Sequence, residues 1–279
     1  MMKLPCILLL PWILASCSAP PDTSPYPRNE LLSTPQGVPH DSAVSYFPVE
    51  AGVNPNRITP RDTLDSVPFE RTLDCQGTLQ FASQDMFSFR APVLYNFFLG
   101  RTIYRFLWAR SFHPPALLTL TVTDTGGLLT TQSLNKQPGW TATAAEQATK
   151  QQHIDGIVAW VHRKGALPTD TARLEAARTE TELLALLKSP LRISTAPPVI
   201  LSQSQVQQFR LLLAAANFWL LPSCQPAQML DGAAWTLEVH EATRYHIVSR
   251  QSPEGKDAKF RRCCEFLLNL SPVKAEERY

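Results

Sequence analysis

Between Asp231 and Pro253 the chain reads DGAAWTLEVHEATRYHIVSRQSP, which sets Asp231, Glu238, His246 and Arg250 among the rings of Trp235 and Tyr245. A carboxylate can orient an imidazole, an imidazole can move a proton near neutral pH, and a guanidinium can clamp an anion. Glu238, His246 and Arg250 are therefore the residue types a hydrolase would use. Such an enzyme also needs a nucleophile on a strained elbow, and no G-x-S-x-G occurs, while Cys263 and Cys264 look inward. The letters HEATR at His240 depart from H-E-x-x-H, because Arg244 takes the place of the second histidine. The remaining histidines lie apart, so no metal is expected. The chain shows no C-x-x-C, no EF-hand loop and no phosphate-cradling glycine loop, so no cofactor is expected either.

The same stretch has a period of two. Trp235, Leu237, Val239, Tyr245 and Ile247 occupy odd positions, whereas Thr236, Glu238, His240, Arg244, His246 and Arg250 occupy even ones. The pattern predicts a β-hairpin with a loop at Glu241–Thr243, odd side chains inward and even ones wet. Keeping both odd sets inward requires pairing like parities, which places Glu238 opposite His246 and Thr236 opposite Val248. On a wet face a Glu238–His246 pair is worth roughly 0.2 to 1 kcal/mol. Asp231-Gly232 ahead of the first strand makes a turn.

The elements that must position this hairpin are legible in outline. TIYRFLWAR, residues 102–110, has the composition of a strand buried on both sides except at Arg105. Leu118, Leu120 and Val122 alternate with threonines, and Asp124-Thr125-Gly126-Gly127 turns the chain into LLTTQSL. HIDGIVAWVHRKG is ambiguous between helix and strand, while residues 170–188 carry Leu174, Ala177, Thr181, Leu184 and Leu187 at helical spacing. Ser202-Gln203-Ser204-Gln205 matches a capping box. Behind it Val206, Phe209, Leu213, Ala216 and Leu220 form one stripe, stopped by Pro222. A last helix over 257–270 turns Phe260, Cys264, Leu267 and Leu270 inward. These elements predict an α+β fold, a small antiparallel sheet packed against C-terminal helices, with a helical insertion at 140–198.

The opening MMKLPCILLLPWILASC has one cation, a short apolar run and small residues, the layout of a secretory signal. The run falls short of the roughly 20 residues a membrane span needs. Leu14-Ala15-Ser16-Cys17 resembles the lipobox of bacterial lipoproteins. That resemblance implies cleavage before Cys17, a diacylglycerol on its sulfur, an acyl chain on its amino group and, with Ser18 following, the outer membrane facing the periplasm. The expected organisation is a signal over 1–16, the lipidated Cys17 and a proline-rich tether to residue 68, then one domain over 69–279. Within the tether Tyr46-Phe47 and Val49 have the character to dock onto that domain.

With 26 basic and 24 acidic residues and no clustered cations, nucleic acid is not expected as a partner. In an oxidising compartment Cys224 is expected to bridge Cys263 or Cys264, leaving Cys75 for the other; a bridge between the neighbours Cys263 and Cys264 would be strained. Buried thiols are the alternative.

RSFHPP at 110–115, NFWLLP, DGAAWTLE, YHIVSRQSP and FRRCCEFLLNLS also resemble segments of a family of uncharacterised bacterial envelope proteins. The resemblance spans about 104–122 and 201–271, implies no chemistry, and marks Asp231, Trp235, Glu238, Tyr245, His246 and Arg250 for testing. The functional expectation is a membrane-anchored module binding an envelope protein or cell-wall component. The alternatives are a hydrolase on Glu238, His246 and Arg250, and a carrier of a small apolar ligand beneath Trp108 and Trp219.

Overall fold

The computed structural model describes residues 33–41, 45–47, 75–95, 99–138, 144–164, 170–225 and 232–278. Cys17 with the lipobox, Val49 and Asp231 lie outside them. Three long antiparallel strands form the middle of the sheet: β1 (Ile103–Arg110), β2 (Ala116–Thr123) and β3 (Gly126–Leu134). The expected turn joins β2 to β3, and a side chain at Gly126 would bring its Cβ to 2.1 Å from the Leu201 carbonyl oxygen. The insertion that follows is helical, as its spacing predicts in its second half: α2 (Ala144–Lys164) and α3 (Asp170–Lys188) pack on one another. Lys136, only 3% exposed, ends α3 by donating to the carbonyls of Leu186, Leu187 and Ser189 at 3.2, 3.0 and 2.7 Å.

Beyond the insertion β4 (Ile193–Thr195) and β5 (Val199–Ser202) both pair with the outer edge of β3. Ala196-Pro197-Pro198 interrupts them, and proline on an edge strand discourages further pairing. Helix α4 (Gln203–Ala215) starts at the capping box: Ser202 accepts from the Gln205 amide, and Gln205 Oε1 accepts from the Ser202 amide at 2.9 Å. Val206, Phe209 and Leu213 point inward as their spacing predicts. Leu220 does not. The helix ends at Ala216, Asn217 takes a left-handed turn, and a 3-10 turn at Phe218–Leu220 leaves Leu220 85% exposed.

Strands β6 (Ala233–Glu241) and β7 (Arg244–Gln251) complete a seven-stranded sheet of order β4-β3-β2-β1-β6-β7, with β5 also on β3. Helix α5 (Ala258–Leu270) closes the domain, with Phe260, Cys263, Cys264 and Leu267 buried. The fold is α+β, with a sheet and C-terminal helices, as the periodicities predict.

The sheet is covered on both faces. On one, Tyr104, Phe106, Trp108, Leu118, Leu120, Trp235, Leu237 and Val248 pack against α4 and α5. On the other, Leu107, Leu117, Leu134 and Ile247 pack against α1 (Cys75–Ser88), Phe89 and Ala91 and against Tyr46 and Phe47. Tyr46 and Phe47 are fully buried, so this part of the proline-rich segment docks as its aromatics suggest. The Tyr46 amide donates to Ser83 Oγ on α1 at 3.2 Å.

The disulfide differs from expectation. Cys75, at the start of α1, bridges Cys224, with Cα atoms 5.4 Å apart, and Cys263 and Cys264 are free and buried. The reason lies in helix geometry. Cys264 is on the inward stripe of α5 and Cys263 beside it, both packed in the first core, whereas Cys224 sits in the segment that runs along the outer edge of β7. There the Ser249 amide donates to the Ser223 carbonyl at 2.7 Å. The bridge therefore pins an edge-covering segment to the helix over the second face.

Candidate functional site

The hairpin forms, but its register differs from the one its parity predicts. Glu241 pairs with Arg244 across a two-residue turn at Ala242-Thr243, so Val239 faces His246, Glu238 faces Ile247, Leu237 faces Val248, Thr236 faces Ser249 and Trp235 faces Arg250. Odd positions of β6 thus share a face with even positions of β7. The like-parity rule holds only where one face is wet, and here a second core of α1, Tyr46 and Phe47 makes both faces dry. Trp235 and Tyr245 lie on opposite sides of the sheet, and so do Glu238 and His246.

On the α1 side Glu238 is 0% exposed and enclosed by partners. Arg105 stands directly opposite on β1 and donates from Nε to Glu238 Oε2 at 2.7 Å, with a second guanidinium nitrogen 2.5 Å from the same oxygen. Its third nitrogen donates to the Pro92 carbonyl at 2.6 Å. The Tyr245 hydroxyl donates to Glu238 Oε1 at 2.7 Å. Burial pushes the Glu238 carboxyl above its usual range, and the charge of Arg105 and both hydrogen bonds act against that. The Tyr245 hydroxyl is held well above its usual range by burial and by the carboxylate beside it. Beyond them Thr236 and Ser249 share a 2.8 Å hydrogen bond. His240 stacks edge-on to Tyr245 at 5.7 Å, and burial lowers its pKa. The hydroxyl of Tyr46 is buried there without a hydrogen-bond partner among the described residues, and burial raises its pKa while Arg105 opposes the rise.

On the α4–α5 side His246 is half-buried. Its Nε2 lies 2.8 Å from the Leu221 carbonyl, to which a protonated nitrogen donates, and its ring meets Phe218 edge-on at 5.3 Å. Burial lowers its pKa, with the Leu221 carbonyl opposing and the charge of Arg250 assisting. Arg250, 3% exposed, donates from Nε to Asp257 at 3.1 Å and from a terminal nitrogen to the Ser249 carbonyl at 2.7 Å. Trp235 packs against Trp108 at 5.9 Å and Phe106 at 5.5 Å, with the Arg261 guanidinium 5.1 Å from its ring. Beneath Trp108 there is protein, since Arg110 lies 4.2 Å over that ring and is itself ion-paired to Glu276.

This arrangement has little scope for acid-base chemistry. Glu238 has both oxygens engaged, and His246 reaches a backbone carbonyl instead of a nucleophile. Two surface cavities, of about 500 and 370 Å3, have neither Glu238, His246, Arg250 nor either of Trp108 and Trp219 in their linings. The free thiols are buried, Cys263 pushed up to about 12 and Cys264 also well above its usual range by burial, so both stay protonated at neutral pH. Among the described residues no group of His, Cys, Asp and Glu is arranged to hold a metal ion.

The residue that sequence reasoning leaves out of the site is Arg105. Its signal was present, a single cation in an otherwise apolar strand, and such a charge inside a sheet needs a partner. No protein-family model, curated protein or solved structure shows significant similarity to the chain.

Proposed function

We propose that this protein is an envelope lipoprotein, anchored by acyl chains on Cys17 to the outer membrane and facing the periplasm, whose folded part is a non-enzymatic binding or structural module. One observation carries the non-enzymatic half: Glu238 is fully buried with each oxygen held, by Arg105 and by Tyr245, while His246 and Arg250 lie across the sheet from it. A buried carboxylate with one oxygen on a guanidinium and the other on a hydroxyl is a device for holding strands in register.

The anchoring half is supported by the lipobox letters Leu14-Ala15-Ser16-Cys17 and by the two-chain requirement for stable lipid anchoring. No described helix is long and apolar enough to cross a membrane. The disulfide between Cys75 and Cys224 suits an oxidising compartment.

The experiment is fractionation of cells expressing the full chain or its Cys17→Ala variant. The parent is expected in the outer-membrane fraction, labelled by radioactive palmitate, and the variant free of label and released from that fraction. A variant that stays in the membrane fraction to the same extent, or a parent without label, would overturn the anchor.

A further inference from the structure

Where α4 ends and α5 begins, the surface holds the cavity of about 500 Å3, whose lining includes Asn217, Leu221, Lys256, Asp257, Lys259 and Arg262. Its one acid, Asp257, is already held by the buried Arg250 at 3.1 Å. Lys256, Lys259 and Arg262 are exposed, and among the described residues none of them is in an ion pair. The cavity therefore carries uncompensated positive charge.

Between the lining residues Asn217 and Leu221 the chain makes the 3-10 turn bearing Trp219 and Leu220. Leu220 is 85% exposed, although its neighbour Phe218 is fully buried. Trp219 is half-buried, with the Arg244 guanidinium 3.7 Å over its ring. A leucine held in water, an indole at the water boundary and several cations together have the chemistry of a bilayer interface: rings sit at headgroup level, cations meet anionic lipid, and aliphatic groups enter the acyl boundary. A free anion would account for the cations and leave Leu220 without a role.

We infer that this corner faces a bilayer containing anionic phospholipid, with a headgroup phosphate in the cavity between Lys256, Lys259 and Arg262 and Leu220 entering the acyl boundary. It deepens the envelope-module reading and rests on it for the nearness of a bilayer.

The test uses the mature chain with Cys17→Ser, which has no acyl chain, in sedimentation with vesicles of phosphatidylcholine alone or with one third phosphatidylglycerol. Binding is expected only where phosphatidylglycerol is present, and is expected to weaken in high salt. The triple variant Lys256→Glu, Lys259→Glu, Arg262→Glu should lose at least about a hundredfold in partitioning, from roughly fivefold per cation removed near an anionic surface, the new carboxylates adding repulsion. Leu220→Asp should weaken binding too, and circular dichroism should show both variants melting like the parent. Equal binding to both vesicles, no binding to either, or full binding by a folded triple variant would overturn the inference. Binding of inorganic phosphate by the parent and not by the triple variant, with no binding to either vesicle, would assign the cavity to a free anion and overturn the lipid assignment. Because acylation is absent throughout, failure here leaves the anchor untouched, and failure of the anchor leaves this binding measurable.

Discussion

Glu238 and His246 belong to neighbouring strands and lie one register step apart, yet they face opposite sides of the sheet, because Glu238 pairs with Ile247 and Val239 with His246. The histidine can be tested by its own titration. Burial lowers its folded-state pKa below the ordinary 6.5, so the unfolded chain takes up the proton first as pH falls. Stability from this residue is present above about pH 6.5 and is lost as pH drops below it. Replacing His246 with Gln should therefore flatten the acid limb of the unfolding free energy, read as the difference between parent and variant in urea melts from pH 8 to pH 5. A difference that does not vary over that range would contradict the burial of the imidazole.

Tyr245→Phe removes the hydroxyl that holds Glu238 Oε1 and leaves the packing of the ring in place. The expected cost is about 1.5 to 3 kcal/mol, the range for a hydrogen bond to a charged group. Under the like-parity register the hydroxyl would have no such partner, and the substitution would be close to neutral in denaturant unfolding.

The cysteine assignment is read by thiol titration of the unfolded Cys17→Ser chain after signal removal. Two thiols, Cys263 and Cys264, should react before reduction, and reduction should release Cys75 and Cys224. Cys75→Ser with Cys224→Ser should cost about 2 to 5 kcal/mol, since the bridge closes a loop spanning 149 positions. Tryptic mapping that recovers a peptide linking Cys224 to Cys263 would refute the pairing.

Phe47→Ala tests whether the proline-rich segment is part of the folded body. Phe47 is 1% exposed against the α1 face of the sheet, and its truncation should destabilise the domain by about 3 to 5 kcal/mol. A change below the error of a urea melt would mean that residues 45–47 contribute nothing to the core.

Local signals carried most of the fold. The capping box at Ser202–Gln205, the stripe Val206, Phe209 and Leu213, and the turn at Asp124-Thr125 ahead of Gly126-Gly127 each depend on near neighbours, and each is where its spacing predicts. What failed was long-range. Whether a hairpin face is wet depends on what covers it, and the cover comes from Tyr46, Phe47 and α1, far away in the chain. The same distance concealed the Cys75–Cys224 bridge, because proximity within the C-terminal segment favoured the wrong partner. Arg105 was visible as an anomaly in β1, but only the pairing of β1 with β6 names Glu238 as its answer.

The most direct test of the claim that the polar hairpin holds the fold is a double-mutant cycle on Arg105 and Glu238, measured by urea unfolding. Arg105→Met and Glu238→Leu should each cost about 3 to 5 kcal/mol, because each leaves a buried charge uncompensated, while the double variant should recover much of the combined loss. Single losses near zero that simply add in the double variant would contradict a buried, mutually dependent pair and with it the structural role assigned to Glu238.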